Sequence, residues 1–530
     1  MGKLSFGTSK HKCRPSINLI YMEICMSLTR SVEPFLYNRS NEKVLVMKQI
    51  LDIKTFGLGL LVSLALSSCA AGPDYQRPAI ESPAQFKEDK GWIKAAPLAV
   101  PFQGDWWVIF GDEELNKLEP RVLKSNQSLQ ASFFTYQQAL ALSDSARAGE
   151  FPTLSASVTS TRSANSTGTT ATTGGSTTTT VSGQSVGLTA SWVPDFWGKV
   201  RRQVEADEAN SEYSRENLLN AQLSLQVTLA QDYFQIRQLD CQIELAQGTV
   251  NAYEKSLTMT QNRYNSGVST QADVAQAQLQ LANAKVQFSA LSLQRAQLEH
   301  AIAVLVGEPA SNFSLPSQSS MPKPQAVPVG LPSQLLLRRP DLMAAERQVA
   351  AANAQIGVTQ SAYFPALTLS AQGGYRNSVF PNIISASNLF WSAGPSLALT
   401  LFDGGARSAV KLQAQNAYKQ TVAQYRQISL QAIQQVEDQL AALSLLADEA
   451  SMQAHAVSAA DVSLRLVTDQ YKAGLVSYLN VITAQTASNS AHNSALQISG
   501  QQLVVNVALI QALGGGADQQ SKTSELSTPR

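Results

Sequence analysis

The chain has 530 residues, with 40 Lys and Arg against 39 Asp and Glu, so its formal net charge at pH 7 is +1. This balance lacks the basic excess of a nucleic-acid-binding protein, and we expect no nucleic-acid partner. Charged residues make up 15 % of the chain, well below the roughly 25 % of an ordinary soluble domain, and Gln, Asn, Ser and Thr take their place. A polar but uncharged surface suits the lining of a water-filled pore or the interior of a barrel.

The cysteines and histidines do not form a pattern that would bind a metal. The four Cys, at positions 13, 25, 69 and 241, lack metal-ligand spacing and a paired framework, and the four His are scattered singly. The sequence also lacks a Ser-His-Asp order and a phosphate-binding loop. We therefore expect no enzyme activity, no metal and no cofactor.

Residues 47–68 have the layout of a signal peptide. A positively charged start is followed by an apolar stretch over 56–66 and then by small residues. The run Leu66-Ser67-Ser68-Cys69 resembles a bacterial lipobox, which implies cleavage before Cys69 and covalent diacylglycerol and palmitate on its thiol. A plain signal peptide with an accidental Cys is the alternative. Residues 1–46 precede a complete signal, and we expect them to be a non-native extension.

The segment after Cys69 begins with an arm rich in proline. Prolines punctuate residues 73–103, and an aromatic cluster then spans 105–112. The next stretch, 113–126, is helical in pattern, so the cluster is most simply its docking surface. A second helix is expected over 128–149.

The hydrophobic period then changes from 3.6 to 2. Apolar residues alternate with Ser and Thr on both sides of a loop rich in Thr, Ser and Gly, which predicts a hairpin over 152–193. Residues 365–402 alternate in the same way, notably at Leu397, Leu399 and Leu401. Strands with one apolar and one small polar face are typical of membrane β-barrels, although a half-buried soluble sheet gives the same alternation.

Two stretches are too long for ordinary globular helices. Residues 198–265 and 405–472 contain no internal proline and a single internal glycine, Gly248. At about 1.5 Å per residue each would span about 100 Å, which indicates a coiled coil or the wall of a tube.

Self-comparison indicates two copies of one unit. Residues 129–157 align without gaps to 342–370, and residues 264–307 align to 471–514. Each copy reads helix, strand, strand, very long helix, turn, helix. Four strands cannot close a membrane barrel alone, and open strand edges are not tolerated in lipid, so we expect a homo-oligomeric ring.

Two further motifs resemble those of a known family, the lipid-anchored outer-membrane efflux channels of the TolC and NodT type. The run from Leu331 to Asp341, LPSQLLLRRPD, is similar to a family signature, and Trp106-Trp107 with Phe110 and Asp112 resembles another. The resemblance covers about 73–514. It implies an α+β membrane protein: a homotrimer with a 12-stranded transmembrane β-barrel, continued by a 12-column periplasmic α-helical barrel with a mixed equatorial domain.

The resemblance also places the functional residues at the periplasmic end of the tunnel. The tips expected to contact an adaptor are Gly267, Val268, Ser269, Gly474, Leu475 and Val476. The residues that align with the family's gate are Asp273, Tyr471, Asn480 and Thr483. Because Asn480, Thr483 and Val476 replace charged residues of other members, a strongly charged gate is not expected. Asp273 could also serve only as a helix cap.

The expected function is a passive exit duct for small toxic compounds in a tripartite efflux system. Its partners would be a periplasmic adaptor, an inner-membrane pump of the RND type and outer-membrane lipid; a type I protein secretion system is the alternative. The expected division is 1–46 extension; 47–68 lipoprotein signal peptide; 69–127 N-terminal arm and equatorial segment; 128–307 first repeat, with helices 198–265 and 272–306; 308–341 equatorial connector; 342–514 second repeat, with helices 405–472 and 477–513; and 515–530 flexible tail.

Overall fold

The computed structural model describes residues 71–80, 83, 85–88, 105–167, 177–322 and 339–515, all within the unit formed by residues 69–530. The expected extension, the signal peptide, Cys69 and the tail after Gly515 lie outside the described residues. So does the middle of the connector, 323–338, which contains most of the LPSQLLLRRPD motif.

The same order of elements occurs in both halves of the chain. After a 3-10 helix at Trp106–Phe110, the first half contains α1 (Glu113–Ser125), α2 (Gln127–Ala148), β1 (Thr153–Thr167), β2 (Thr177–Trp192), α3 (Lys199–Asn265) and α4 (Gln271–Leu305). The second half contains α5 (Pro340–Ser361), β3 (Ala366–Asn377), a 3-10 helix at Ala386–Asn388, β4 (Leu389–Ala398), α6 (Ala406–Lys472) and α7 (Tyr478–Ala512).

The corresponding helices of the two halves have equal lengths. The helices α3 and α6 have 67 residues each, α2 and α5 have 22 each, and α4 and α7 have 35 each. Each long helix begins after a glycine with positive φ, 76° at Gly198 and 94° at Gly405. Only glycine adopts this conformation at little cost, so these two residues fix where the chain turns from strand to helix.

The two shorter helices of each half stack end to end beside the long ones. Near its start, α3 packs against α2 and α5, where Glu212 accepts a hydrogen bond from Arg347 at 2.8 Å. Near its end, α3 packs against α4 and α7, where Ser256 donates to the hydroxyl of Tyr478 at 2.8 Å. The helix α6 packs against α5 and α7 in the same manner.

The four strands form one antiparallel sheet in the order β1-β2-β3-β4. Pairing of Ala190 with Leu154 and with Ala371 places the apolar residues of neighbouring strands in common rows. One face of the sheet, the apolar face, therefore carries Leu154, Val158, Leu188, Leu369 and Trp391 among others, and the opposite, polar face carries mainly Ser, Thr and Gly.

The alternation at the end of the second hairpin extends beyond its strand. Because Ala366, the first residue of β3, pairs with Ala398, no strand residue remains opposite Leu399 or Leu401. The strand β4 ends at Ala398 for this reason, and the two leucines lie outside the sheet although their spacing fits a strand.

The largest buried cluster lies where the aromatic segment meets the long helices. Trp106, Trp107 and Phe110 pack with Leu115 of α1 and Phe234 of α3, and residues of α4, α6 and α7 complete the cluster. The ring centroids of Phe110 and Phe234 are 4.9 Å apart. Within the described ranges, no helix carries a stretch long and apolar enough to cross a membrane.

Candidate functional site

The two helical hairpins of the chain end in tight turns of the same geometry. Gly267 follows α3 with a φ of 75°, and Gly474 follows α6 with a φ of 77°. Val268 donates its backbone N–H to the carbonyl of Arg263 at 2.8 Å, and Leu475 donates to Gln470 at 2.9 Å. These bonds satisfy carbonyls that a helix end leaves free, so each chain reversal is locally specified.

The turns present apolar side chains at their outer ends. Val268 is 65 % exposed and Leu475 is 76 % exposed. Ser269 and Val476 are partly buried behind them. Exposed apolar side chains on two rigid turns are a suitable contact surface for another protein.

Asp273 holds the start of α4 in a capping box. Thr270 accepts a hydrogen bond from the backbone N–H of Asp273, and the Asp273 carboxylate accepts from the backbone N–H of Thr270 at 3.0 Å. It also accepts from the hydroxyls of Ser269 and Thr270. The Thr270 N–H, then the two hydroxyls and the cation of Arg263, hold the pKa of Asp273 below its usual 3.8. Asp273 is therefore both a cap and a stable negative charge.

Tyr471 lies in a small cluster that joins the two tips. Its ring is 5.6 Å from that of Tyr478, centroid to centroid, and packs with Val481 and Ile482 of α7 and Ala277 of α4. The Arg263 guanidinium lies 4.8 Å from the centroid of the Tyr471 ring. The Tyr471 hydroxyl is buried and makes no hydrogen bond to another described residue.

The structure thus connects Asp273 and Tyr471 through Arg263, a residue that sequence reasoning missed. The signal for Arg263 in the sequence was its position four residues before the expected turn at Gly267. Tyr478 was also missed, and its bond to Ser256 has no signal in the sequence because the partners are 222 residues apart.

Asn480 and Thr483 do not join this cluster. Both are exposed near the start of α7, on the side opposite Tyr478 and Ile482. Thr483 donates its hydroxyl to the carbonyl of Leu479 one turn earlier at 3.0 Å. Within the described ranges, no group of three His, Cys, Asp or Glu side chains could hold a metal ion.

A buried charge network fastens the connector after α4 to the middle of the helices. Asp240 of α3, fully buried, binds Arg237 at 3.1 Å and Arg295 of α4 at 2.6 Å. Arg237 donates to the carbonyl of Pro316 at 2.8 Å, and Arg295 donates to that of Leu315 at 2.7 Å. The network, which we term the Asp240 clamp, therefore ties both helices to the connector.

The spacing of the described motif end, Arg339-Pro340-Asp341, has a direct structural explanation. Arg339 forms two hydrogen bonds to the Asp341 carboxylate, at 3.0 and 2.6 Å, and donates to the carbonyl of Ala512 at 3.1 Å. Ala512 is the last residue of α7, so Arg339 satisfies a free carbonyl at that helix end.

The described start of the N-terminal arm is bound to the base of the sheet and to the helices. Ala71 donates its N–H to the carbonyl of Trp197 at 3.0 Å, just below the sheet, and Arg202 binds Asp74 at 2.7 Å. A side chain on Gly72 would meet Gly357 of α5 at 2.4 Å, so the two backbones touch. The chain that follows Cys69 therefore starts at the junction of strands and helices.

Comparison with known proteins identifies this architecture. The family model for outer membrane efflux proteins matches residues 118–308 and again 331–515. The chain is 29 % identical over 470 residues to the cation efflux system protein CusC of Escherichia coli strain K12, covering 87 % of this chain and 99 % of that protein. It is 30 % identical over 478 residues to the toluene efflux pump outer membrane protein TtgF of Pseudomonas putida, covering 88 % and 98 %.

A third relative and two solved structures show the same similarity to outer-membrane channels. SilC of Salmonella typhimurium, named a probable outer membrane lipoprotein, is 26 % identical over 464 residues, covering 87 % of this chain and 98 % of SilC. The outer-membrane channel OprN matches with a TM-score of 0.76 and 26 % identity, covering 84 % of this chain and 99 % of that one. A crystal structure of CusC matches with a TM-score of 0.74 and 28 % identity, covering 84 % and 100 %.

The two family matches span most of the chain, and the relatives are aligned over nearly their whole lengths. The protein is therefore an outer-membrane component of an efflux system that acts as a channel and not as an enzyme. This chain belongs to the outer membrane efflux protein family.

Proposed function

We propose that three copies of this chain form a passive duct that carries small toxic compounds across the periplasm and the outer membrane. In this proposal three four-stranded sheets close into a 12-stranded barrel, and the stacked helices continue it as a 12-column tunnel. We also propose that the chain consists of two repeats and that an equatorial belt surrounds the Asp240 clamp. The bounds of the segments are those given above.

The sheet is the observation that carries this proposal. In a single chain, β1 and β4 each have one unpaired edge, and the apolar face is open. The apolar face runs along β3 from Leu367 to Tyr375, which is about 26 Å at about 3.3 Å per residue. That length suits the apolar band of a tilted membrane strand. Closure with other copies would pair the edges and leave the polar face toward water.

The named relatives support efflux of small compounds. CusC is named for cations and TtgF for toluene, and a further relative, SrpC of Pseudomonas putida, for solvents. None of these names refers to protein secretion, which is the less supported alternative for this chain. We propose a periplasmic adaptor that contacts the Val268 and Leu475 turns, and an inner-membrane pump of the RND type behind it.

We further propose that the cluster of Asp273, Arg263 and Tyr471 closes the periplasmic end, with Asn480 and Thr483 lining the aperture. The cluster joins the tip of the first half to that of the second, so separating the two hairpins would break it. The acyl chains on Cys69 would enter the membrane beside the base of the sheet, because Ala71 binds there.

Two measurements on the purified protein test the duct. Light scattering in mild detergent should give the mass of three chains, and planar bilayers should show discrete channel currents. A monomeric mass together with silent bilayers would contradict the proposal. A trimer that conducts and also restores export of a labelled protein by a type I system would favour the secretion alternative.

A further inference from the structure

The polar face of the sheet carries a single charged residue among its described positions, Arg376. Opposite each other on this face lie Ser185 and Arg376, and Gly374 and Phe390. All other described positions of this face are Ser, Thr, Gly, Ala, one Gln, one Asn and one Val. If this face lines the duct, as proposed above, Arg376 is the one charged side chain of the described barrel wall that faces the water.

The charge of Arg376 has no acidic counterpart nearby in the sequence. Neither residues 151–194 nor residues 365–402 contain Asp or Glu, and their only charged residues are Arg162 and Arg376. Arg162 pairs with Ser182 and shares the face of Leu154 and Val158, so it lies on the opposite side of the sheet. Each chain therefore gives the polar face a net positive charge.

The Arg376 side chain packs on the aromatic ring of Phe390. Its guanidinium lies 4.7 Å from the centroid of the Phe390 ring. The ring packs over Gly187, since a side chain at that position would be 3.6 Å from the Cζ atom of Phe390. A guanidinium stacked on an aromatic ring keeps its charge and its edge donors free for an anion.

Arg376 is the second-last residue of β3, at the end of the sheet remote from the helices. We propose that Arg376, positioned by Phe390, forms with its copies in the other chains a ring that attracts small anions such as sulfonates, carboxylates and phosphates at the outer mouth of the duct. This inference rests on the proposed trimeric barrel. The anion preference of Arg376 would lie at the end of the duct opposite Asp273, whose proposed role at the gate favours cations.

Reaction rates of a nearby thiol measure the local potential without requiring an open gate. We would introduce Ser185→Cys, next to Arg376, and compare its rates with thiosulfonate reagents that carry a sulfonate or a quaternary ammonium group. The purified trimer without the added cysteine supplies the background from the native thiol of Cys241. At low salt the sulfonate-to-ammonium rate ratio should fall on the order of fivefold in Arg376→Gln, since both reagents feel the lost charge with opposite sign.

Two matched variants separate the effect of the Arg376 charge from general effects of substitution. Arg376→Lys should preserve the ratio, and so should Arg162→Gln, which removes the same charge from the opposite face. If Ser185→Cys reacts but Arg376→Gln leaves the sulfonate-to-ammonium rate ratio unchanged, the proposed ring of Arg376 side chains is wrong. The proposed duct is not affected by that result. If Ser185→Cys is protected while Val186→Cys, on the apolar face, reacts readily in lipid, the proposed barrel itself is wrong.

Discussion

Glu119 of α1 is an acidic side chain in an apolar environment. It is fully buried, and neither carboxylate oxygen has a hydrogen-bond partner among the described residues. Burial raises the pKa of Glu119 well above its ordinary 4.5, because the charged form loses its hydration. The folded chain therefore holds a proton at Glu119 that the unfolded chain releases near pH 4.5.

Replacing Glu119 should change how stability depends on pH. Since the folded pKa is raised, the ionisation of Glu119 costs no stability below the unfolded pKa, and the cost grows as pH rises from the unfolded pKa to the folded pKa. Glu119→Leu should remove that loss and stabilise the protein at neutral pH by about 1–3 kcal/mol. Thermal unfolding over a range of pH measures the effect. Glu113→Gln, an exposed change in the same helix, is the control, and equal pH slopes for wild type and Glu119→Leu would refute this account.

The tip offers a test that separates the charge of Asp273 from its capping bonds. Asp273→Ala removes both, whereas Thr270→Ala removes the cap and keeps the charge. If Asp273 contributes to the gate, Asp273→Ala should weaken cation preference and block by divalent ions in single-channel recordings, and Asn480→Asp should strengthen both.

Thr270→Ala should leave cation preference nearly unchanged while it costs about 1 kcal/mol of helix stability. Equal effects of Thr270→Ala and Asp273→Ala on selectivity would mean that Asp273 acts only as a cap. Because its pKa is lowered, we expect its charge to persist as pH falls to its ordinary 3.8.

At the scale of elements, the sequence predicts the bounds of the helices more accurately than the contacts between them. The expected stretch 198–265 corresponds to Lys199–Asn265, because glycine marks both ends and no proline interrupts it. The second hairpin was less predictable, since its strand ends where β3 offers no partner beyond Ala366. The burial of Glu119 and the place of Arg263 depend on contacts between distant segments, which periodicity does not encode.

Because the Asp240 clamp holds the connector after α4, loss of Asp240 should destabilise the connector first. Asp240→Asn would leave the guanidinium of Arg237, which is 1 % exposed, without its counterion, and should destabilise the fold by about 3–5 kcal/mol. Lys285→Gln, which breaks an exposed pair with Glu254, should cost less than about 1 kcal/mol.

Denaturant unfolding gives the two energies, and limited proteolysis shows where the structure opens. Cleavage of Asp240→Asn should begin within residues 307–322, because the Asp240 carboxylate accepts from Gln318 and is the counterion of Arg237, which binds Pro316 there. Cleavage that begins elsewhere, or equal losses for the two variants, would contradict a clamping role.

At the scale of the whole molecule, two features would hold the protein in the outer membrane: the sheet and the lipid on Cys69. Cys69→Ser should abolish incorporation of labelled palmitate, because the thiol is the proposed acceptor. Localisation alone is a poor measure, since the proposed barrel would also retain the protein in the membrane. The quantities to measure are label per chain and the yield of trimer, with Cys241→Ser as the control. Palmitate incorporation by Cys69→Ser would disprove the lipid site.

The bound arm has a consequence for the order in which the chain is assembled. Tyr75 donates to Glu346, Arg77 to Tyr425, and the backbone of Lys87 to Glu437, which join positions 271, 348 and 350 residues apart. Contacts of such long range form late, because their loops are costly to close before the intervening helices exist. The described part of the arm should therefore remain unpacked until α5 and α6 have formed. Chaperones that accompany the chain through the periplasm would meet it in that state, and weakening the arm should lengthen their association with it.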